Sequence, residues 1–322
     1  MATARVDTAP AKVNLTLRVL GRQADGYHDL ESLVAFAGVG DRLSFVPGRA
    51  LSLTVRGPTA AAAGELDSNL VLKAARALAD RVPGLRVGRF EMSKRLPVAA
   101  GLGGGSSDAA AALRLLARAS RIALDDPRLM EAARVTGADV PVCLDPRPRV
   151  MRGIGDVLSD PLDLPRLPAV LVNPGVAVPT KDVFAALRLR TEALVAGPSA
   201  PSPLVGEGWG GGWREMAIRR RTPTPNPSPQ GGGERTAFVA TVAESSNDLE
   251  APAIKLRPVI ADVLSGLRDS VGCRLARMSG SGATCFGLFD SSHAAVAAAR
   301  ALRERHPSWW VRSTMLGGRG AT

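Results

Sequence analysis

The chain is poor in the residues on which most metal, disulfide and membrane arguments rest. Its 322 residues include three cysteines, three histidines, one tyrosine and five lysines, and aromatics make up 4%. Cys143, Cys273 and Cys285 are widely spaced in apolar surroundings. That spacing argues against a disulfide framework or a cysteine metal site and reads as core filling in a reducing compartment. His28, His293 and His306 are too scattered to suggest a metal site. No run of 18 apolar residues occurs, and the opening "MATARVDTAP" is polar and short. Neither a membrane span nor a secretory signal is expected, and the reading is a soluble cytoplasmic protein with no membrane partner.

Acidic residues are outnumbered, which leaves a net charge of +11. Such a balance suits either a nucleic-acid surface or a site for an anionic small molecule. The basic residues are nearly all arginine and are spread along the chain, apart from "RRR" at 219–221. A GC-rich genome would produce the same bias through codon usage, so no nucleic-acid partner is expected.

What is present is organised in two halves. Alternating apolar residues between glycine turns predict strands at 13–19, 30–36, 41–47 and 51–56. "DSNLVLKAARALADRV" carries apolar residues at helical spacing, with Asp67 or Ser68 as N-cap. "LRVGRFEMSKRL" returns to strand, and a glycine-rich stretch then leads into an Ala/Leu helix from about Ser107 to Ser120. A second helix, "DPRLMEAARVTG", ends at a turn before "ADVPVCLD". After Pro165 the pattern restarts as strand, helix, two strands, helix and strand, the order of a split βαβ sandwich. Two α+β domains are expected, 1–155 and 156–322, with the boundary between Asp145 and Leu167. Gly197 to Arg235 is crowded with Gly, Pro and Ser and reads as a disordered insert.

The chemistry concentrates in "LPVAAGLGGGSSDAAAALRLL". Four glycines in five residues, then Ser106 and Ser107 and a helix, form a loop whose N–H groups can approach an anion with the helix dipole behind them. It lacks the lysine of a P-loop and the spacing of a dinucleotide fingerprint. Lys12 lies on a strand, where alternation puts Asn14 and Thr16 on its face. A solvated strand lysine is the alternative. Asp139 follows Gly137 at a helix-to-strand turn and could act as a base or simply cap the turn. "DGYHDL" sets Tyr27 beside His28, suited either to stacking on a base or to anchoring a hairpin. "MSGSGATCF" is a second Gly/Ser loop, and together these features suggest a nucleotide site between the halves.

"PVAAGLGGGSSDAA" and "MSGSGATCF" resemble the central and C-terminal motifs of the GHMP kinases. "PAKVNLTLRVLGRQADGYHDLES", "GADVPV", "NPGVAVPTKDVF" and "SNDLE" resemble, in order, the branch that acts on a cytidine-diphosphate-linked polyol. The resemblance implies the two-domain GHMP kinase fold of class α+β, with a ribosomal-protein-S5-like N-terminal domain and a ferredoxin-like C-terminal domain. It implies ATP as phosphoryl donor with Mg²⁺, and transfer to the 2-hydroxyl of 4-diphosphocytidyl-2-C-methyl-D-erythritol in the methylerythritol phosphate route of isoprenoid biosynthesis. It further implies Asp139 as catalytic base and Lys12 as the lysine that orients base and hydroxyl. Pro97, Val98, Ala99, Ala100, Gly101, Leu102, Gly103, Gly104, Gly105, Ser106 and Ser107 match the ATP phosphate loop, and Lys94 falls near the adenine. Tyr27, His28 and Phe184 match residues that hold the cytosine, with Asn14 and Thr180 nearby. A monomer or weak homodimer is expected. Ala99 and Ala100 stand where some family members carry glycine.

Overall fold

A computed structural model describes residues 4–23, 26–66, 68–195 and 231–317. The expected disordered insert at 197–235 therefore lies mostly outside the described residues. Its last five residues do not fit the expectation, because they open a helix, Gly231–Glu244.

The first half is built on one very long strand. β1 (Arg5–Asn14), β2 (Arg18–Arg22) and β3 (His28–Pro47) precede β4 (Ser52–Arg56), α1 (Leu70–Ala79) and β5 (Gly88–Ser93). β3 pairs antiparallel with β1, β2, β5 and a later strand, β6 (Arg149–Gly153), which turns back through β7 (Val157–Leu158). The two strands expected at 30–36 and 41–47 are thus one. Gly38 and Gly40 suggested a turn, but Gly40 lets β1 approach: a Cβ there would lie 2.3 Å from the Ala9 carbonyl oxygen. Opposite it the β1 register slips between Pro10 and Lys12, a bulge of the kind that re-aims the next side chain.

Helices α1 and α2 (Gly104–Ser120) pack on this sheet, and α3 (Pro127–Thr136) and α4 (Val140–Leu144) pack on α1 and α2. Phe45 and Phe90, 4.7 Å apart, form its core with Leu78, Leu113, Leu116 and Leu129. Asn69 caps α1 by accepting from the Val71 N–H, so the cap lies one residue beyond Ser68; Asp67 is outside the described residues. "ADVPVCLD" forms α4 instead of a strand, because Pro141 presets a helical φ in the first turn and the apolar run beside it is wholly buried.

The second half contains β8 (Leu167–Asn173), α5 (Thr180–Val195), α6 (Gly231–Glu244), α7 (Glu250–Leu256), α8 (Val259–Arg268), β9 (Cys273–Met278), β10 (Cys285–Phe289), α9 (Ser292–Arg305) and β11 (Trp310–Leu316). Its strands run β11-β8-β10-β9, every neighbour antiparallel, as the ferredoxin-like order requires. Leu316 at the end of β11 pairs with Ala37 of β3 and joins the two sheets. A further core cluster spans the join, with Val13, Leu33, Leu96 and Leu102 packed among Leu171, Phe286 and Leu316. Burying each such leucine is worth roughly 1.5–3 kcal/mol, so apolar contact holds the halves together along this seam. Among the described residues no helix is long and apolar enough to cross a membrane.

Candidate active site

The cleft forms where the end of β1, the start of α2 and the 279–282 turn converge. It encloses about 430 Å³. Ala99, Ala100, Gly101, Gly103, Gly104, Gly105 and Ser106 line one side, Lys12, Asn14 and Asp139 the floor, and Thr180 and Phe184 the far wall.

The helix starts earlier than its composition suggests, since Gly104 and Gly105 belong to its first turn. The first intrahelical bond is Ser107 N–H to the Gly103 carbonyl at 2.8 Å. The amides of Gly104, Gly105 and Ser106 lie ahead of it and point their donors, with the helix dipole, at the cleft. Gly101 has φ +74°, and a Cβ on it would stand 2.3 Å from the Ser279 carbonyl oxygen. The two glycine loops therefore touch. The Ser279 hydroxyl donates to the Gly101 carbonyl at 2.9 Å and accepts from the Asn14 N–H at 3.1 Å.

Lys12 reaches across the floor of the cleft, where its Nζ donates to Asp139 Oδ1 at 2.9 Å. The lysine side chain is 5% exposed and the carboxylate 38%, so the charge pair is anchored in protein and opens on the cleft through Asp139. Arg114 of α2 sets this geometry. Its guanidinium donates to the Thr8 carbonyl of β1 and the Cys143 carbonyl of α4, and pairs with Asp7 at 2.9 Å. One buried side chain thus links the elements that carry the loop, the lysine and the aspartate. Cys143 behind Asp139 is no candidate nucleophile, because burial, followed by the nearby Asp139 charge, pushes its thiol up to about 12.

Several expected site residues hold the cleft without facing it. Lys94 is buried and its ammonium pairs with Asp41 and Asp108, each at 2.5 Å. It sits beneath the loop, not at its mouth: a Cβ on Gly104 would lie 3.4 Å from the Lys94 Nζ. Although burial alone would lower it, the Lys94 pKa is raised by Asp108 and Asp41. Asp41 also accepts from the N–H groups of Arg95 and Leu96 and so fastens the chain that enters the loop. The Ser107 hydroxyl is committed to the Pro10 carbonyl at 2.6 Å, which leaves Ser106 as the serine facing the cleft. Leu102 is buried and accepts from the Lys12 N–H through its carbonyl. Pro97 and Val98 are outside the cleft lining. Thr16 shares the face of Asn14, but its hydroxyl accepts from the Leu33 N–H in the interior.

On the far wall His28 stacks on Phe184 with ring centroids 4.4 Å apart and 23° between planes. Tyr27 is 61% exposed next to it. Thr180, at the start of α5, shares a hydroxyl–hydroxyl hydrogen bond of 2.8 Å with Ser281. Sequence reasoning missed the β6–β7 contribution of Met151, Ile154 and Gly155, and the apolar Leu17, Leu30, Val178 and Leu249. None of these carries a chemical signature. The second glycine loop was legible as a loop, but its contact with the first was not.

Comparison with known proteins gives the family. The sequence matches the GHMP kinases N terminal domain over residues 69–145 and the GHMP kinases C terminal domain over 238–308. A Xanthobacter autotrophicus protein named 4-diphosphocytidyl-2-C-methyl-D-erythritol kinase is 56% identical over 308 residues, 96% of this chain and 97% of its own. A relative of the same name from Methylobacterium radiotolerans is 57% identical over 315 residues, 98% and 99% of the two chains. A crystal structure of 4-(cytidine 5'-diphospho)-2C-methyl-D-erythritol kinase superposes with a TM-score of 0.71 at 34% identity, covering 98% of this chain and 100% of that one. A homoserine kinase from Cytophaga hutchinsonii, at 19% identity and a TM-score of 0.66 over 99% and 97% of the chains, shares the fold. The chain belongs to the GHMP kinases, in the family of the 4-diphosphocytidyl-2-C-methyl-D-erythritol kinases.

Proposed function

We propose that this kinase transfers the γ-phosphoryl group of ATP to the 2-hydroxyl of 4-diphosphocytidyl-2-C-methyl-D-erythritol, in the methylerythritol phosphate route, with Lys12 and Asp139 as its catalytic residues. The observation that carries the assignment of residues is the Lys12–Asp139 pair at 2.9 Å, set in the same cleft as the amides of Gly104, Gly105 and Ser106. Asp139 accepts the hydroxyl proton as the acceptor oxygen bonds to the γ-phosphorus. The bond from that phosphorus to the β,γ-bridging oxygen breaks, and ADP leaves with the electron pair. Lys12 holds the carboxylate toward the hydroxyl and offsets negative charge on the transferring group, while the helix amides cradle the donor phosphates. Phosphoryl transfer needs chiefly positioning and charge stabilisation, and these groups supply both.

The oxygen donors at the cleft, the Ser106 hydroxyl and the Asp139 carboxylate, suit a hard cation. Among the described residues no cluster of three His, Cys, Asp or Glu could hold a metal, so Mg²⁺ would enter on the nucleotide's phosphates, with the Ser106 hydroxyl as the oxygen the cleft adds. It would neutralise phosphate charge there.

On the acceptor side, Phe184 stacks on the cytosine in the place His28 occupies, Tyr27 covers the base, and the released imidazole hydrogen-bonds to its edge. Asn14 and Thr180 face the polyol. The backbone around Lys94 runs beside the adenine. The catalytic pair and the loop come from domain 1–155, and the acceptor wall from both domains, with Asn14, Tyr27 and His28 from the first and Thr180 and Phe184 from the second. The protein would work as a monomer or weak homodimer, with no nucleic-acid partner. The free thiols of Cys143, Cys273 and Cys285 fit the cytoplasm.

The test is ADP release by the purified protein with Mg-ATP and the cytidine acceptor, with mevalonate and homoserine alongside. Turnover with the cytidine compound alone is the expected result. Phosphorylation of mevalonate without inhibition by CMP or CDP would refute the acceptor assignment.

A further inference from the structure

The stretch "SNDLE", Ser246 to Glu250, has no part in the chemistry above, yet it is tied into both halves of the molecule. It lies between α6 and α7. Its backbone pairs with β1's continuation: Leu17 N–H donates to the Ser246 carbonyl and Asp248 N–H to the Leu17 carbonyl, both at 2.9 Å. The Asp248 carboxylate accepts from the Val19 N–H at 2.8 Å. This side of the segment is fixed to the first half, five to seven residues beyond Lys12.

The Asn247 side chain faces the other way. It is buried, and its Nδ2 donates to the carbonyls of Met278 and Gly280, both at 2.8 Å, while its Oδ1 accepts from the Leu249 N–H at 3.0 Å. One amide nitrogen therefore spends both hydrogens on the turn that carries Ser279, Gly280 and Ser281. That turn is pressed on the phosphate loop. Ser279 bonds Gly101 and Asn14, and a Cβ on Gly280 would lie 3.1 Å from the Gly101 carbonyl oxygen.

We propose that Asn247 is a positioning residue for phosphoryl transfer: its carboxamide clamps the 278–280 turn against the phosphate loop and so sets the gap between the donor phosphate and the Lys12–Asp139 pair. This rests on the functional reading above, and it extends that reading to a residue that touches neither substrate. Asn247→Asp keeps the shape but sets a carboxylate against two carbonyl oxygens, so the clamp opens. A displacement of the order of 1 Å in such a geometry can reduce turnover about 100-fold.

The experiment is steady-state kinetics with Mg-ATP and the cytidine acceptor on full-length Asn247→Asp and Asn247→Ala, with thermal melts of each. We expect kcat to fall by about 30-fold or more while both KM values and the affinity for ATP alone stay within about 3-fold. Combining Asn247→Asp with Ser279→Ala should cause no loss beyond the worse single variant, because both act through one turn. A folded variant with kcat near that of the unaltered protein overturns the proposal. Multiplicative losses in the double variant, or a loss of kcat that follows loss of the fold in both single variants, do so as well. Turnover by the unaltered protein separates these outcomes from a wrong assignment of the reaction.

Discussion

Asp108 offers a test of the buried cluster beneath the phosphate loop. It sits in the second turn of α2 with one oxygen on the Lys94 ammonium and the other, Oδ1, buried without a hydrogen-bond partner. Burial first, and the Asp41 charge after it, push its carboxyl up to about 8 against the pull of Lys94. The folded protein therefore holds a proton that the unfolded chain releases near the ordinary value of 3.8. Stability from this group is fully present below the unfolded pKa and is lost as pH rises through the folded one. The slope is about 1.4 kcal/mol per pH unit, and between pH 6 and 9 it amounts to roughly 2–3 kcal/mol, falling with pH. Asp108→Asn has the same shape and no proton to lose. The assay is urea unfolding at pH 6, 7, 8 and 9 for both proteins, and the readout is the difference between their slopes, which cancels every other titrating group. The unaltered protein should lose stability with pH relative to Asp108→Asn, by a few degrees in Tm. Its KM for ATP should also rise above pH 8, as a carboxylate appears under Gly104. Parallel slopes would refute the reasoning.

Asp139→Asn should lower kcat by roughly 10²–10⁴-fold while ATP affinity, measured by calorimetry, stays within about 3-fold; near-normal turnover would remove the base assignment. Gly101→Ala forces a Cβ onto the Ser279 carbonyl and an alanine into φ +74°, so kinetics should show kcat reduced about 10-fold or more. Alanine already occupies φ +50° at position 99, and Ala99→Gly should relieve that strain and stabilise the fold by about 1 kcal/mol in denaturant melts. Phe184→Ala removes the stacking face and should raise the acceptor KM by roughly 5- to 100-fold with a smaller change in kcat; an unchanged KM would place the base elsewhere.

Much of this molecule is written locally. Apolar periodicity marks the helices α1, α3, α8 and α9, and alternation marks the strands of the second half, because burial of one face is a property of a short window. The phosphate loop is equally local: consecutive glycines before an Ala-rich helix are enough to define an anion site. Local reading failed where a neighbour from far along the chain decided the outcome. Gly38 and Gly40 look like a turn until β11 packs by the first and β1 on the second, and "ADVPVCLD" looks like a strand until α2 and α3 bury it as a helix.

The sequence by itself determined the chemical kinds of groups available: a glycine loop with two serines, one strand lysine, one turn aspartate, and aromatic side chains for a base. Only the tertiary structure decided which of them face the cleft. Lys12 and Asp139 are 127 residues apart and meet because Arg114 ties their elements together. Gly101 and Ser279 are separated by 178 residues and meet because β11 joins the two sheets. Lys94, close to the loop in sequence, is withdrawn from the cleft because the buried acidic side chains of Asp41 and Asp108 hold its ammonium, and Ser107 because Pro10 takes its hydroxyl. A buried charge or hydroxyl goes to the partner that satisfies it, and that partner is chosen by packing between distant segments.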